Sequence, residues 1–64
     1  MENEIISIME NMEEQYEKAI IDAHKFADGN NSAGTRVRKA MQNIKNLAQQ
    51  VRTEVQYQKK SVLA

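Results

Sequence analysis

Apolar residues recur along the first half of the chain with the period of an α-helix. The spacing between them alternates between four and three residues, at Ile5, Met9, Met12, Tyr16, Ala19, Ala23 and Phe26. Ile8, Ile20 and Ala27 lie beside this line and widen the apolar face. Because such spacing keeps apolar side chains on one side of a helix, the pattern predicts a first helix over about residues 3–27.

The second half of the chain repeats the pattern. Its apolar line, which Ala40 and Leu47 flank, consists of Val37, Met41, Ile44, Ala48, Val51, Val55 and Val62. This predicts a second helix over about residues 32–60. Residues 28–31 form the turn, because Gly29 suits the end of a helix and the Asn and Ser residues after it suit the start of the next. We expect an all-α antiparallel helical hairpin, with residues 1–64 as a single domain.

Two helices side by side cannot cover apolar faces of this width. A chain of 64 residues buries only about 60% of the surface that its unfolded form exposes, and without cysteine no disulfide can add stability. Self-association is the remaining source of stability, so we expect a homodimer in which two hairpins form a four-helix bundle. Its expected core consists of Ile5, Met9, Met12, Tyr16, Phe26, Val37, Met41, Ile44, Leu47, Val51 and Val55.

The charges are divided between the two halves. Residues 1–28 carry eight acids and two bases, a net charge of −6, and the remainder carries seven bases and one acid, a net charge of +6. The formal net charge of zero hides this separation. Such asymmetry indicates an anionic partner for the basic half, pairing between the halves, or both.

Four cations of the second helix recur every seven residues, in a row beside the apolar line: Arg38, Lys45, Arg52 and Lys59. Successive charges stand about 10.5 Å apart along the helix, which suits the phosphates of duplex DNA. The same row can instead face the acids of the first helix or of a partner chain, where an exposed ion pair contributes about 0–1 kcal/mol. Both interpretations stay open at this point.

A second cluster, Gly34, Thr35, Arg36, Arg38 and Lys39, lies in the opening turns of the second helix. Free backbone N–H groups, the positive end of the helix dipole and nearby cations together favour a bound phosphate. Gly34 by itself has another explanation, since a glycine also relieves crowding where two helices approach each other near a turn.

The eleven residues from Gly29 to Lys39, GNNSAGTRVRK, and the helix after them resemble the bacterial linker-histone-like family known from chlamydiae. The likeness extends to about Lys60. It implies a short helical domain that binds DNA without sequence preference and compacts the nucleoid, with contacts from Arg36, Arg38, Lys39, Lys45 and Arg52. Chlamydial members carry a long Lys/Ala/Pro-rich tail, and this sequence stops where that tail would begin. We therefore expect weak and local attraction to DNA.

The leading hypothesis is a cytoplasmic, nucleoid-associated, histone-like protein with duplex DNA as its partner. The alternative is a small protein–protein interaction module, an adaptor or chaperone, that docks a partner's helix on its apolar seam. We expect no membrane partner, because no apolar run approaches the length of a membrane span. We expect no enzyme activity, no small-molecule substrate, no cofactor and no metal, since the single histidine, His24, has no neighbouring set of ligands.

Overall fold

A computed structural model describes the chain from residue 3 to residue 63 and its side chains from residue 3 to residue 60. Helix α1 spans Glu4–Ala27 and helix α2 spans Asn31–Leu63. The helices pack against each other along an antiparallel hairpin. The all-α hairpin expected from the apolar pattern is confirmed. Helix α2 begins one residue before the expected start and continues three residues beyond the expected end.

The start of α1 is set by the side chain of Asn3. Its Oδ1 accepts a hydrogen bond of 2.8 Å from the N–H of Ile5, and its backbone oxygen accepts one of 3.1 Å from the N–H of Ser7. An asparagine in this position satisfies an N–H that has no acceptor within the helix. The boundary at Glu4 is therefore determined by local chemistry.

The turn between the helices depends on the left-handed conformation of Gly29, whose φ is +104°. The N–H of Gly29 donates to the carbonyl of Phe26 at 3.0 Å, and the N–H of Asn30 donates to the carbonyl of Lys25 at 3.0 Å. This pair of bonds is the Schellman arrangement that ends many helices. Asn30 also begins α2, since its Oδ1 accepts from the N–H of Ala33 at 3.2 Å.

The two helices meet along one line of each. Toward α2, α1 presents Ile5, Ile8, Met12, Gln15, Ala19 and Asp22 as buried or half-buried residues. Toward α1, α2 presents Ala33, Val37, Ala40, Ile44, Leu47, Val51, Glu54 and Gln58. Among the residues with described side chains, only Ala19 and Ala33 are fully buried. Small side chains therefore occupy the tightest positions of the contact.

Four aromatic and methionine residues expected in the core are exposed in the single hairpin. Met9, Tyr16 and Phe26 each keep slightly more than half of their surface in contact with water, and Met41 keeps 40%. The reason is geometric, because the apolar surface of each helix is wider than one neighbouring helix covers. The side of α1 that faces α2 is the one with Ile8, and Met9 and Tyr16 lie beside it. Val62, expected at the end of the second apolar line, lies outside the described side chains.

The hairpin is a layer one helix thick, with principal dimensions of 54 × 20 × 11 Å between Cα positions. Both of its broad faces are consequently open to solvent. At the end away from the turn, the side-chain amides of Asn3 and Gln58 donate to each other's oxygens at 3.2 Å, and Gln58 also donates to Glu54. Within residues 3–63, neither helix has an apolar stretch long enough to cross a bilayer.

Candidate nucleic-acid interface

The start of α2 packs against the end of α1 through Phe26 and Gly34. A Cβ atom placed on Gly34 would lie 2.6 Å from both Cδ1 and Cε1 of the Phe26 ring. Real Cβ atoms do not approach ring carbons this closely. The glycine therefore has a packing reason to be there, which is the crowding explanation that the sequence left open.

Because α2 begins at Asn31, the cluster from Gly34 to Lys39 lies further inside the helix than the sequence pattern implied. The N–H groups without helical acceptors belong to the cap and the first three helical residues, and that of Ala33 already binds Asn30. Gly34 and Thr35 thus lie just after these groups. The backbone N–H groups of Asn31 and Ser32 remain without a helical acceptor. They lie about one helical turn before Gly34 and Thr35, nearer to the loop between the helices.

Arg36 is held by a carboxylate of the first helix. Its Nε donates to Oδ1 of Asp22 at 2.9 Å, and the Asp22 side chain is only 21% exposed. Sequence reasoning missed Asp22 as a partner. A signal existed, because residues at similar distances on either side of the turn face each other in an antiparallel hairpin.

Arg38 lines a shallow apolar recess on one side of the hairpin, together with Phe26, Asn31, Gly34, Thr35 and Val37. Lys39 is the next residue along α2, about 100° further around the helix. Its side chain therefore lies on the opposite side of the hairpin from Arg38. Both side chains are exposed. The opening turns thus direct their cations to two different sides instead of gathering them at one point.

We call the row of cations that begins at Arg38 the basic edge; its members are Arg38, Lys45, Arg52 and Lys59. All four are exposed. None of them forms an ion pair with a carboxylate among the side chains of residues 3–60. Within one hairpin, the row therefore does not pair with the acids of α1, and its charges face solvent.

The basic edge borders a continuous apolar surface. We call this surface the apolar face; it is defined by Met9, Tyr16, Ile20, Met41, Ile44 and Ala48. Met9, Tyr16 and Ile44 border one depression and so lie on the same side of the hairpin. Ile20 continues the line on α1, and Met41 and Ala48 lie beside Ile44 on α2 by helical spacing.

The opposite border of the apolar face, on α1, is acidic. We call it the acidic edge; it contains Glu10, Glu13 and Glu17. Glu13 lines the same depression as Met9 and Tyr16. Glu14, in contrast, points to the other side of α1, where it pairs with Lys18 at 3.5 Å.

The described part of the chain shows no grouping of three or more acidic or histidine side chains suited to a metal ion. His24 lies exposed near the end of α1. The exposed charged groups that border the apolar face are the guanidinium and ammonium groups of the basic edge and the carboxylates of the acidic edge.

Comparisons with known proteins place this arrangement in a family. No significant match was found among curated proteins or among solved structures. The family model described as histone H1-like protein Hc1 matches residues 6–61. The match includes both helices and the turn, and so extends well before Gly29, where the resemblance noted in the sequence began. The chain therefore belongs to the histone H1-like protein Hc1 family.

Proposed function

We propose that this protein binds DNA without sequence preference, through contacts between α2 and the phosphate backbone, and that it thereby helps to organise or compact DNA. Membership of a histone H1-like family indicates a structural DNA-binding, nucleoid-organising protein, not an enzyme. The observation that carries the finer proposal is the basic edge, whose four cations are exposed and have no carboxylate partner within the described hairpin.

The proposed mechanism is release of counterions from DNA. Each Lys or Arg that neutralises a phosphate displaces a condensed cation, so binding weakens as salt rises. The basic edge follows the backbone, and Lys39 adds a contact near the turn. The proposed contact residues are Gly34, Thr35, Arg38, Lys39, Lys45, Arg52 and Lys59, and Arg36 joins them when its pair with Asp22 breaks. Because contacts to phosphates carry no sequence information, we expect no sequence preference.

We further propose that the protein is a homodimer. The support is the exposure of Met9, Tyr16, Phe26 and Met41 in the single hairpin. Full burial of such a side chain contributes about 1.5–3 kcal/mol, so a second hairpin packed on the apolar face would add considerable stability. The proposed product is a four-helix bundle.

The test is a salt-dependent binding series with fluorescent duplex DNA, beginning at about 50 mM salt, where phosphate contacts are strong. A dimer that contacts about six phosphates should show a log–log salt slope near −5. Arg38→Gln with Lys39→Gln removes four of these contacts per dimer, and the slope should fall to about −2.

Lys18→Gln with Lys25→Gln is the matched control, because it removes the same charge from α1. It should change the slope much less than the α2 variant. Equal losses in both variants would show that only net charge matters and would refute contact through α2. Absence of wild-type binding at the lowest salt would refute the DNA-binding proposal itself.

The exposed apolar face also supports a second candidate, a protein–protein interaction module. Binding to a helical partner through this face should survive high salt and should be lost when Ile44 or Leu47 is replaced. Both of these residues are half-buried between α1 and α2, so their replacement also disturbs the hairpin. Met9→Ser is the cleaner variant, because Met9 is 55% exposed.

For the cell, the proposal places the protein in the cytoplasm with the nucleoid. A fluorescent fusion should coincide with stained DNA, and the Arg38→Gln, Lys39→Gln fusion should spread through the cytoplasm. An even distribution of the wild-type fusion through the cell, without enrichment at the stained DNA, would contradict this placement.

A further inference from the structure

The apolar face is bordered by opposite charges on its two sides. Glu13 lies beside Met9 and Tyr16 on the α1 border, and Lys45 follows Ile44 on the α2 border. Both side chains are exposed. A surface that covers the apolar face should therefore carry the reverse arrangement, basic beside α1 and acidic beside α2, because opposed like charges are destabilising.

A second copy of the chain provides this complementary surface in one of two symmetric arrangements. When the two-fold axis runs parallel to the helices, α1 of one copy packs on α2 of the other, so each acidic edge meets a basic edge. When the axis runs across the helices, α1 packs on α1 and α2 on α2, so like charges meet along both borders. Charge complementarity selects the first arrangement.

The positions along the helices also agree with the first arrangement. Arg36 pairs with Asp22, so these residues lie at the same level of the hairpin. Lys45 is nine residues after Arg36, and Glu13 is nine residues before Asp22, so Glu13 and Lys45 also share a level. A two-fold axis parallel to the helices preserves levels. It brings Glu13 of each copy next to Lys45 of the other.

We propose that two copies cover each other's apolar faces with α1 of one packed on α2 of the other, and that Glu13 pairs with Lys45 across both borders. This inference rests on the proposed dimer and specifies its geometry. In the dimer, Lys45 then faces Glu13 of the other copy, and the phosphate contacts of the basic edge come from Arg38, Arg52 and Lys59. The geometry has a further consequence for function, since both hairpin turns then lie at the same end of the bundle. Arg38 and Lys39 of both copies then lie near that end, so we expect one dimer to hold a single duplex there, whereas turns at opposite ends would allow one duplex at each end.

The first experiment measures dimer dissociation by sedimentation equilibrium for four proteins: wild type, Glu13→Lys, Lys45→Glu and the double variant. Each single change opposes like charges at two sites of the dimer, and it should raise the dissociation constant several-fold. The double variant restores opposite charges and should return close to the wild-type value. Glu14→Lys is the matched control, because Glu14 lies on the other side of α1 and should have little effect.

The second arrangement, in which the two-fold axis runs across the helices, gives different results in the same experiment; we call it the crossed arrangement. There Glu13 faces acidic residues and Lys45 faces basic ones, so neither single variant should weaken the dimer. Such a result, or a wild-type protein that remains monomeric, overturns the inference. Circular dichroism of each variant separates loss of dimer from loss of helix.

The second experiment uses engineered cysteines, since the natural chain has none. Ile20 and Met41 lie on the apolar face at nearby levels, and each is about 40% exposed in the single hairpin. An equal mixture of Ile20→Cys and Met41→Cys proteins should form a disulfide-linked heterodimer under mild oxidation. Tyr16→Cys alone should not link to itself, because the two α1 helices are then diagonal. Efficient self-linking of Tyr16→Cys indicates the crossed arrangement and overturns the inference.

The linked heterodimer then tests the functional consequence. Incubated with bead-bound duplex and free labelled duplex, it should bind the beads without retaining the labelled DNA. Retention of the labelled duplex by the dimer contradicts the placement of both turns at one end. If the linked dimer forms but binds no duplex, the geometry stands and the proposed DNA-binding function fails, so the two failures are distinguishable.

Discussion

The ring of Phe26 lies directly over Gly34, at a distance that leaves no space for a Cβ atom. This contact joins the last turn of α1 to the first turns of α2, immediately beside the hairpin turn. It also forms one wall of the recess that Arg38 lines. The geometry of the proposed contact region near the turn therefore depends on Gly34, because only a residue without a Cβ atom fits against the Phe26 ring.

Gly34→Ala should destabilise the hairpin, although alanine is about 1 kcal/mol better than glycine inside a helix. The added methyl group forces the Phe26 ring away from its position. In a Phe26→Ala background the obstacle is gone, and the same substitution should stabilise by about 1 kcal/mol. Urea unfolding at fixed protein concentration measures both effects, and equal values in the two backgrounds would contradict the contact.

Asp22→Asn should strengthen DNA binding, because it releases Arg36 from its ion pair. One additional phosphate contact per chain makes the salt slope of a dimer steeper by about 1.8. The cost in stability should be small, about 0–1 kcal/mol, as for exposed pairs in general. Glu14→Gln removes the same charge and frees Lys18 on α1 instead. If both variants steepen the slope equally, the effect comes from net charge and not from Arg36.

Ala33→Leu should be strongly destabilising, because Ala33 has no exposed surface in the folded hairpin. Extra methyl groups at such a position cost about 1–3 kcal/mol. Ala27→Leu adds the same atoms at an exposed position at the end of α1 and should change stability by less than about 0.5 kcal/mol. Thermal unfolding followed by circular dichroism compares the two. A tolerant Ala33 would show that the helices are further apart than described.

Asn3→Ala should cost more stability than Gln58→Ala. Gln58 loses only its side-chain bonds to Asn3 and Glu54, each of which contributes about 1 kcal/mol or less. Asn3→Ala removes the two amide bonds with Gln58 and also the cap on Ile5, and cap removal typically costs about 1 kcal/mol. Amide hydrogen exchange of the first turn of α1 should accelerate for Asn3→Ala and change little for Gln58→Ala. The reverse order would show that the amide pair, not the cap, holds this end.

Helix positions, the turn and the all-α class followed from the sequence alone because each depends on neighbouring residues. The periodic apolar residues determine where a helix gains from packing. Gly29 determines where α1 ends, since only glycine adopts a φ of +104° at little cost. The segment around Arg36 and Arg38 was enough to indicate the family, because its residues are contiguous.

The tertiary structure alone decided which line of residues on each helix lies in the contact between the two helices. The sequence favoured the line through Met9 and Tyr16, and the hairpin uses the line through Ile8 and Gln15, roughly 40° further around α1. Both lines are flanked by apolar residues, so periodicity does not separate them. The choice depends on contacts between residues distant in sequence: the small Ala19 and Ala33 where the helices close, and the pair that Asp22 forms with Arg36. For the same reason, the structure and not the sequence showed that Asp22 holds Arg36, whereas the four cations of the basic edge have no carboxylate partner among the side chains of residues 3–60.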